Sequence, residues 1–414
     1  MRKTMVLAVL VLVLVLRGGA KADEISELKT QMQQMQQRLE QLEAAQKAQQ
    51  QKADEKPAKA EEGKSVSLPD NLKWLENIKI SGDLRYRYEM IDEEGKNRRN
   101  RNRIRARLGI TGKVTDDIEV GMRLASSEAF TSDKGDPIST NQTLDDAFAK
   151  KSIWLDLAYF KWSPKASGLD IFGGKMETPF YRVGGNQLIW DSDLTPEGIA
   201  ANYNLKLGES DEWFVKGGGF WVNEVSGGAD TSLWGAQSGW KHQFADKSTL
   251  SGGASYYGYG NIEGSGALIG TGFQGNSHSA GIYNSEYNIV EVFGEYDFKL
   301  SQIPTAAFAS YVKNTSAATS QDAGWLIGGK LGKCKNPGSW ELSYDYRDLE
   351  ADAVLGAFGD SDFIGGGTNG KGHRMACAYQ LAKNLQAALT YFLNEKADDN
   401  HNYNRLQADM VFKF

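Results

Sequence analysis

Arg85 and Arg87, then Arg103, Arg105 and Arg107, then Arg123 recur at two-residue steps or at the matching position of a neighbouring segment. In an extended strand, side chains two apart share one face, so these six guanidinium groups would form one basic wall on three adjacent strands. Like charges on adjacent strands repel, and such a wall is tolerable only beside water or opposed carboxylates. Asp191 and Asp193, in the segment 178–196, could supply those carboxylates. If that segment folds against the wall, it creates a constriction with a transverse field, where size and charge govern passage. The plainer alternative is a solvated face that sets no selectivity. Nucleic-acid binding by the same stripe is opposed by the export signal described below.

Other chemistry is thin. The four histidines, His242, His278, His373 and His401, lack the spacing of a zinc site, and neither a G-x-S-x-G elbow nor a C-x-x-C-H haem attachment occurs. The expectation is no catalytic site, no metal and no cofactor. Asp360-Ser361-Asp362 reads as a polar loop tip, with a divalent cation or a lipopolysaccharide bridge as the sharper alternative. Cys334 falls in an expected turn and Cys377 in mid-strand, which puts a disulfide between them out of reach.

The elements that must position the arginines are strands. From Ile78 onward the chain alternates: Ile78, Ile80, Leu84, Tyr86 and Tyr88 oppose Lys79, Ser81, Asp83, Arg85 and Arg87. The last ten residues do the same, with Leu406, Ala408, Met410, Phe412 and Phe414 on one face and Arg405, Gln407, Asp409 and Lys413 on the other; Val411 is the exception. An oily face ending in an aromatic suits the closing strand of an outer-membrane barrel, so Met410, Phe412 and Phe414 read as a barrel-assembly signal. The alternation predicts strands at 78–89, 101–114, 118–127, 152–162, 169–177, 197–206, 212–223, 233–244, 248–258, 286–299, 303–313, 322–332, 339–348, 371–381, 385–394 and 402–414.

Connections sort by length. Short links at 115–117, 163–168, 245–247, 301–302 and 382–384 interleave with long ones at 128–151, 178–196, 259–285 and 349–370. Transmembrane barrels have this sorting, and sandwiches and propellers have no reason for it. The predicted fold class is therefore all-β: a transmembrane antiparallel β-barrel of roughly sixteen strands over 78–414, preceded by a short helical segment. Tyr86, Tyr88, Tyr159, Tyr203, Tyr296, Tyr391, Phe412 and Phe414 are expected as outward interface girdles, while Trp154 and Trp162 have inward parity.

Residues 1–22 carry Arg2 and Lys3, an apolar run from Met5 to Leu16 and Ala20-Lys21-Ala22, which together read as a cleaved signal peptide. That run is too short to span a bilayer. Over 23–51, Ile25, Leu28, Met32, Met35, Leu39 and Leu42 form a heptad seam, and a helix this short is stable in water only when associated. A solvated helix on the protein's own surface is the alternative. Residues 52–77 read as a charged linker. The 46 glycines and 11% aromatic residues suit many strands, and a net charge of −6 argues neither for nor against nucleic acid.

Residues 339–373 contain a W-E-x-x-Y-x-Y-R strand at Trp340, Tyr344, Tyr346 and Arg347, then D-A-V at Asp352, D-S-D-F from Asp360 to Phe363, G-G-G-T from Gly365 to Thr368, and Gly372-His373. This block resembles the bacterial putative porin family, whose members join an export signal, a short coiled coil and a long outer-membrane barrel. Weaker matches occur at Leu155-Asp156, Ala158-Tyr159, Gly174-Lys175, Pro179-Phe180 and Phe414. The resemblance implies a passive channel in a Gram-negative outer membrane and, by analogy with general porins, a trimer. It names no solute. The expected partners are copies of this chain, outer-membrane lipids and lipopolysaccharide, and peptidoglycan near the periplasmic coiled coil, with no nucleic acid. The rival reading is a structural tether to peptidoglycan whose barrel conducts nothing.

Overall fold

The computed structural model describes residues 76–131, 134–270, 272–398 and 400–414. The expected signal peptide, the heptad seam and nearly all of the expected charged linker lie outside the described residues. Sixteen long strands follow: β1 Ile78–Glu93, β2 Arg99–Lys113, β3 Ile118–Ser126, β4 Ile153–Trp162, β5 Leu169–Lys175, β6 Glu197–Leu207, β7 Asp211–Asn223 and β8 Thr231–Gln243 form the first half. β9 Thr249–Gly260, β10 Asn288–Leu300, β11 Ile303–Asn314, β12 Ala323–Gly332, β13 Trp340–Leu349, β14 Gly370–Ala382, β15 Leu385–Lys396 and β16 His401–Lys413 form the second. Each strand pairs antiparallel with the next, and β16 pairs with β1 from Asp83↔Lys413 to Glu93↔Tyr403. The sheet is thereby a closed cylinder. Closure removes the free edges that an open sheet would leave unpaired.

The alternation explains which way each side chain points. On β1, Ile80, Leu84, Tyr86 and Tyr88 are exposed on the outer surface, while Asp83, Arg87 and Glu89 are buried inside. On β16, Phe412 and Phe414 lie outside and Arg405, Gln407 and Val411 inside. Val411 breaks the polar pattern of its face without changing its register. Tyr203, Tyr256, Tyr296, Tyr311 and Tyr379, with Trp213, Trp221, Trp234, Trp240 and Trp325, add to the exposed aromatic surface.

Two aromatic expectations fail, for one reason. The register between β3 and β4 slips at Arg123/Leu124, so Arg123 faces Leu157 while Leu124 faces Leu155, and Asp156 is the extra residue. A bulge of this kind reverses the parity of everything beyond it. Tyr159 therefore turns inward, where its ring covers Gly121, and Trp162 turns outward with 39% of its surface exposed. Trp154, on the near side of the bulge, keeps its inward place and donates its indole N–H to the Ser127 carbonyl at 3.1 Å.

Long loops leave from one rim, numbered here in chain order along it: L2 (127–152), L3 (176–196), L5 (261–287), L6 (315–322) and L7 (350–369). Three of them pack inside the cylinder. Phe180, Val183, Leu188 and Trp190 of L3, Ile262 and Tyr283 of L5, and Val354 and Leu355 of L7 pack on Phe220, Leu233, Tyr257, Phe293 and Phe308, which point inward from β7 to β11. The inner wall is thus polar over only part of its circumference. Apolar inward residues are allowed on the rest because loops, rather than water, cover them.

The β1–β16 seam has a tight point. Gly82 exchanges backbone hydrogen bonds with Phe414, N–H to carbonyl at 3.0 and 3.1 Å in the two directions. A Cβ on Gly82 would lie 2.3 Å from the Arg107 carbonyl oxygen and 2.6 Å from the Phe414 ring. Gly82→Val should destabilise closure by about 1–3 kcal/mol, the usual cost of overpacking. The measurement is the fraction of refolded protein that keeps the compact, heat-modifiable form on a gel; an unchanged fraction would show that the seam tolerates the side chain.

Candidate functional site

All six arginines expected to share a wall do face the interior, because they sit at inward positions of β1, β2 and β3. The β1–β2 register sets them in rungs: Glu89↔Arg101, Arg87↔Arg103, Arg85↔Arg105 and Asp83↔Arg107. Arg405 of β16 and Arg101 join the group. The repeat of the wall arginines marks neither of them, although Arg405 shares the polar face of the last strand.

Carboxylates interleave with the guanidinium groups. Asp83 accepts from Arg105 and Arg107, each at 2.7 Å. Arg87 makes a bidentate pair with Asp409 at 2.7 and 2.8 Å. Glu89 is clamped between Arg101 and Arg405, and Arg123 bridges Asp156 at 2.5 Å and Glu177 at 2.7 Å. Buried guanidinium groups need such partners, since an isolated charge in a narrow, partly dry space costs several kcal/mol.

The inserted loops supply the rest. L3 is fixed to the opposite wall: the Tyr181 hydroxyl and the Gly184 N–H both donate to Glu295 of β10, at 2.6 and 3.0 Å, and Tyr181 exchanges backbone-to-amide bonds with Gln237 of β8 at 2.7 and 2.9 Å. From there Asp193 reaches back to Arg107 at 3.6 Å and accepts from the Thr140 N–H and hydroxyl at 3.0 and 2.8 Å. Asp191 does not meet the arginines as expected. Its carboxylate accepts the Ser361 N–H at 2.9 Å and the Asp193 N–H at 2.7 Å, so it ties L3 to L7.

The D-S-D segment of L7 is a brace against the inner wall, with Asp360 buried and Asp362 half-buried, rather than a polar loop tip. Asp360 is 2.8 Å from Arg347, and Asp362 bridges Arg405 at 2.8 Å and Arg87 at 3.3 Å. The two aspartates and three arginines are plain in the chain, but nothing in its local pattern signals that L7 brings them together. A second network holds L7 in place: buried Asp352 accepts from the hydroxyls of Ser277, Ser285, Tyr287 and Thr319 and from the Ser277 N–H. Those donors come from L5 and L6, so three loops are locked around one carboxylate.

The loop carboxyls respond differently to this crowding. Burial pushes the Asp191 carboxyl well above the usual carboxylate range, and the charges of Asp193 and Asp360 push the same way. Burial would also raise Asp193, but Arg105, the Thr140 hydrogen bonds and Arg107 outweigh it and hold it low. Asp362 is likewise held low against its burial, by Arg405 and Arg87.

Two cavities flank this layer on the arginine side. One of about 530 Å³ opens toward the long-loop rim and is lined by Arg101, Arg103, Glu128, Asp362 and Arg405 among others. The other, about 390 Å³, lies toward the short-turn rim beside Ser81, Thr111, Arg123, Tyr159 and Glu177. Between them along β1 and β2 lies the band of Asp83, Arg85, Arg105 and Arg107, touched by Asn141 of L2 and Asp193 of L3. Among the described residues no cluster of His, Cys, Asp and Glu could hold a metal ion, and both cysteines are free thiols.

A closed sixteen-stranded cylinder, oily outside, with charged inner walls and loops folded into its lumen, defines a channel-forming outer-membrane barrel. The chain matches the family described as putative porin over residues 91–281 and 282–414, and it belongs to that family of outer-membrane channels for passive diffusion. Among solved structures it is similar to a high-pH structure of Pseudomonas putida OprB, with a TM-score of 0.56 and 13% identity over 82% of this chain and 94% of that one. It is also similar to Salmonella typhi OmpF in complex with daunomycin, with a TM-score of 0.50 and 12% identity over 81% of this chain and 97% of that one. At such identities the likeness establishes the fold alone. No curated protein matches the chain.

Asp191 gives the site a testable pH dependence. A carboxyl raised in the folded state stays protonated there while the same group in the unfolded chain ionises near pH 4. Its contribution to stability is therefore full below about pH 4 and falls as pH rises toward the raised folded value. Limited proteolysis of L3 should accelerate over that window, and Asp191→Asn should flatten the slope. Equal slopes in both proteins would remove Asp191 from the junction's pH response.

Proposed function

We propose that small hydrophilic solutes and ions diffuse passively through the water-lined side of this barrel, between the β1–β3 wall and the inserted loops. The observation that carries the reading is the pair of cavities on either side of the Asp83–Arg107 band, inside a cylinder whose outer surface is apolar. Arg85, Arg87, Arg103, Arg105, Arg107 and Arg123 line the path, and Asp193 opposes them at the narrow level. Asp191 acts there indirectly, by holding L3 against L7. Passage is then filtered by size and by a field that runs from guanidinium groups to loop carboxylates. Close pairing tempers the net charge of the wall, which favours a mild rather than a strong preference for anions.

The same reading places the barrel in a bacterial outer membrane with its outer face against lipid and lipopolysaccharide. The heptad seam from Ile25 to Leu42 would project into the periplasm, near peptidoglycan, and associate with the seams of other copies. A homo-oligomer, by analogy a trimer, follows from that association.

Planar-bilayer recording of the purified full-length protein tests the proposal: discrete conductance steps are expected, and a silent barrel would favour the tether instead. Arg103, Arg105 and Arg107 replaced together by Ser should shift the reversal potential toward cations. Glu295→Gln, which weakens the anchor of L3, should raise single-channel conductance by loosening the narrow level. Unchanged values in both variants would mean that the route runs elsewhere.

A further inference from the structure

The arginines are not equally partnered, and the exceptions are neighbours. Arg87, Arg101, Arg105, Arg107, Arg123 and Arg405 each have a carboxylate within 3.0 Å. Arg85 has none: its Nη2 donates to the neutral Asn141 Oδ1 at 2.5 Å, and no acceptor among the described residues reaches its buried Nε. Arg103 is 5% exposed, its Nε is likewise unpartnered, and among the described residues its side chain has one hydrogen-bond partner, Glu128, at 3.4 Å. That Glu128 oxygen is already engaged by the Thr143 N–H at 3.0 Å and by the Thr143 hydroxyl.

Since Arg85 pairs with Arg105 and Arg87 with Arg103 across β1 and β2, Arg85 and Arg103 are diagonal neighbours on one inward face. Arg103 lines the cavity of about 530 Å³, whose lining carries more Lys and Arg side chains than carboxylates. Arg85 sits one rung deeper, in the band below.

We infer that Arg85 and Arg103 form a binding step for a small oxyanion, a carboxylate or phosphate group on the permeating solute. The inference rests on the diffusion reading and deepens it by naming the solute's chemical class. A guanidinium group presents planar N–H donors that fit two oxygens of such a group, a fit that a spherical ion cannot offer. Two neighbouring guanidinium groups without a close carboxylate, one of them on a cavity wall, form a pair that a visiting anion neutralises without displacing a stronger ion pair. Glu128 is the internal competitor, a loop carboxylate loosely set against Arg103. Asn141 is the residue that keeps Arg85 available, because an aspartate there would close the pair from within.

The test uses full-length protein in planar bilayers carrying chloride current, with inorganic phosphate or acetate added as the probe. Both probes should reduce the current in a saturable way, and the one that acts at lower concentration identifies the preferred group. Asn141→Asp, which adds an ion pair and so protects folding, should raise the half-blocking concentration about tenfold, as should Arg85→Gln; a tenfold change corresponds to about 1.4 kcal/mol. Glu128→Gln should lower it. Arg85→Lys keeps the charge but not the fork, and should bind the probe more weakly than the native protein. Equal half-blocking concentrations in native protein, Asn141→Asp and Arg85→Gln would overturn the site while leaving the channel intact. If native protein passes no current, the diffusion reading fails, and calorimetric titration of detergent-solubilised protein with phosphate still decides the site: loss of binding in Asn141→Asp supports it, and no binding to native protein overturns it.

Discussion

The interior depends on neutralising guanidinium groups where water is scarce. Arg87, at 5% exposure, and Arg405, at 3%, would be too costly to bury alone, and each is held by one wall carboxylate and by Asp362 from L7. This single requirement connects parts of the chain that are far apart. It joins β16 to β1 through Arg87 and Asp409, and it draws L7 down to the wall. The closing seam and the folded loop are thus stabilised by the same set of ion pairs. A buried carboxylate left out of that set, Asp191, is driven toward its neutral form and serves as a hydrogen-bond acceptor between loops.

The lumen is divided by chemistry as well as by shape. On the β7–β11 side, aromatic and aliphatic residues point inward and L3, L5 and L7 cover them, forming a core inside the cylinder. On the β1–β3 side the wall is ionic, and the cavities lie there. The dry half fixes the loops rigidly, and rigid loops let Asp193 stand at a defined distance from Arg107. Packing on one side therefore sets electrostatics on the other. In the absence of that core the loops would be free to move with solvent, and a fixed transverse field could not persist.

Strand order, closure and the direction of nearly every side chain were legible in the chain because the two-residue period is imposed by backbone geometry and by lipid outside. The sixteen predicted segments each overlap one observed strand, with ends differing by a few residues, as at 78–89 against Ile78–Glu93. Tyr159 and Trp162 escaped because a bulge inserts one residue with little to mark it; Asp156, a charged residue within an apolar run, is the one trace of it. The inward parity of the arginines was readable for the same reason as the strands.

The chain alone settles what is local: alternation, loop lengths, and the face on which each strand residue sits, all consequences of short-range geometry. Which carboxylate meets which guanidinium is settled in three dimensions, because those partners lie far apart in sequence and many come from loops without a period. Arg87 to Asp409, Arg405 to Asp362 and Asp191 to Ser361 are contacts of that kind. The imbalance that leaves Arg85 beside a neutral Asn141 is another, since pairing becomes visible only when every competitor for the same charge has been placed in space.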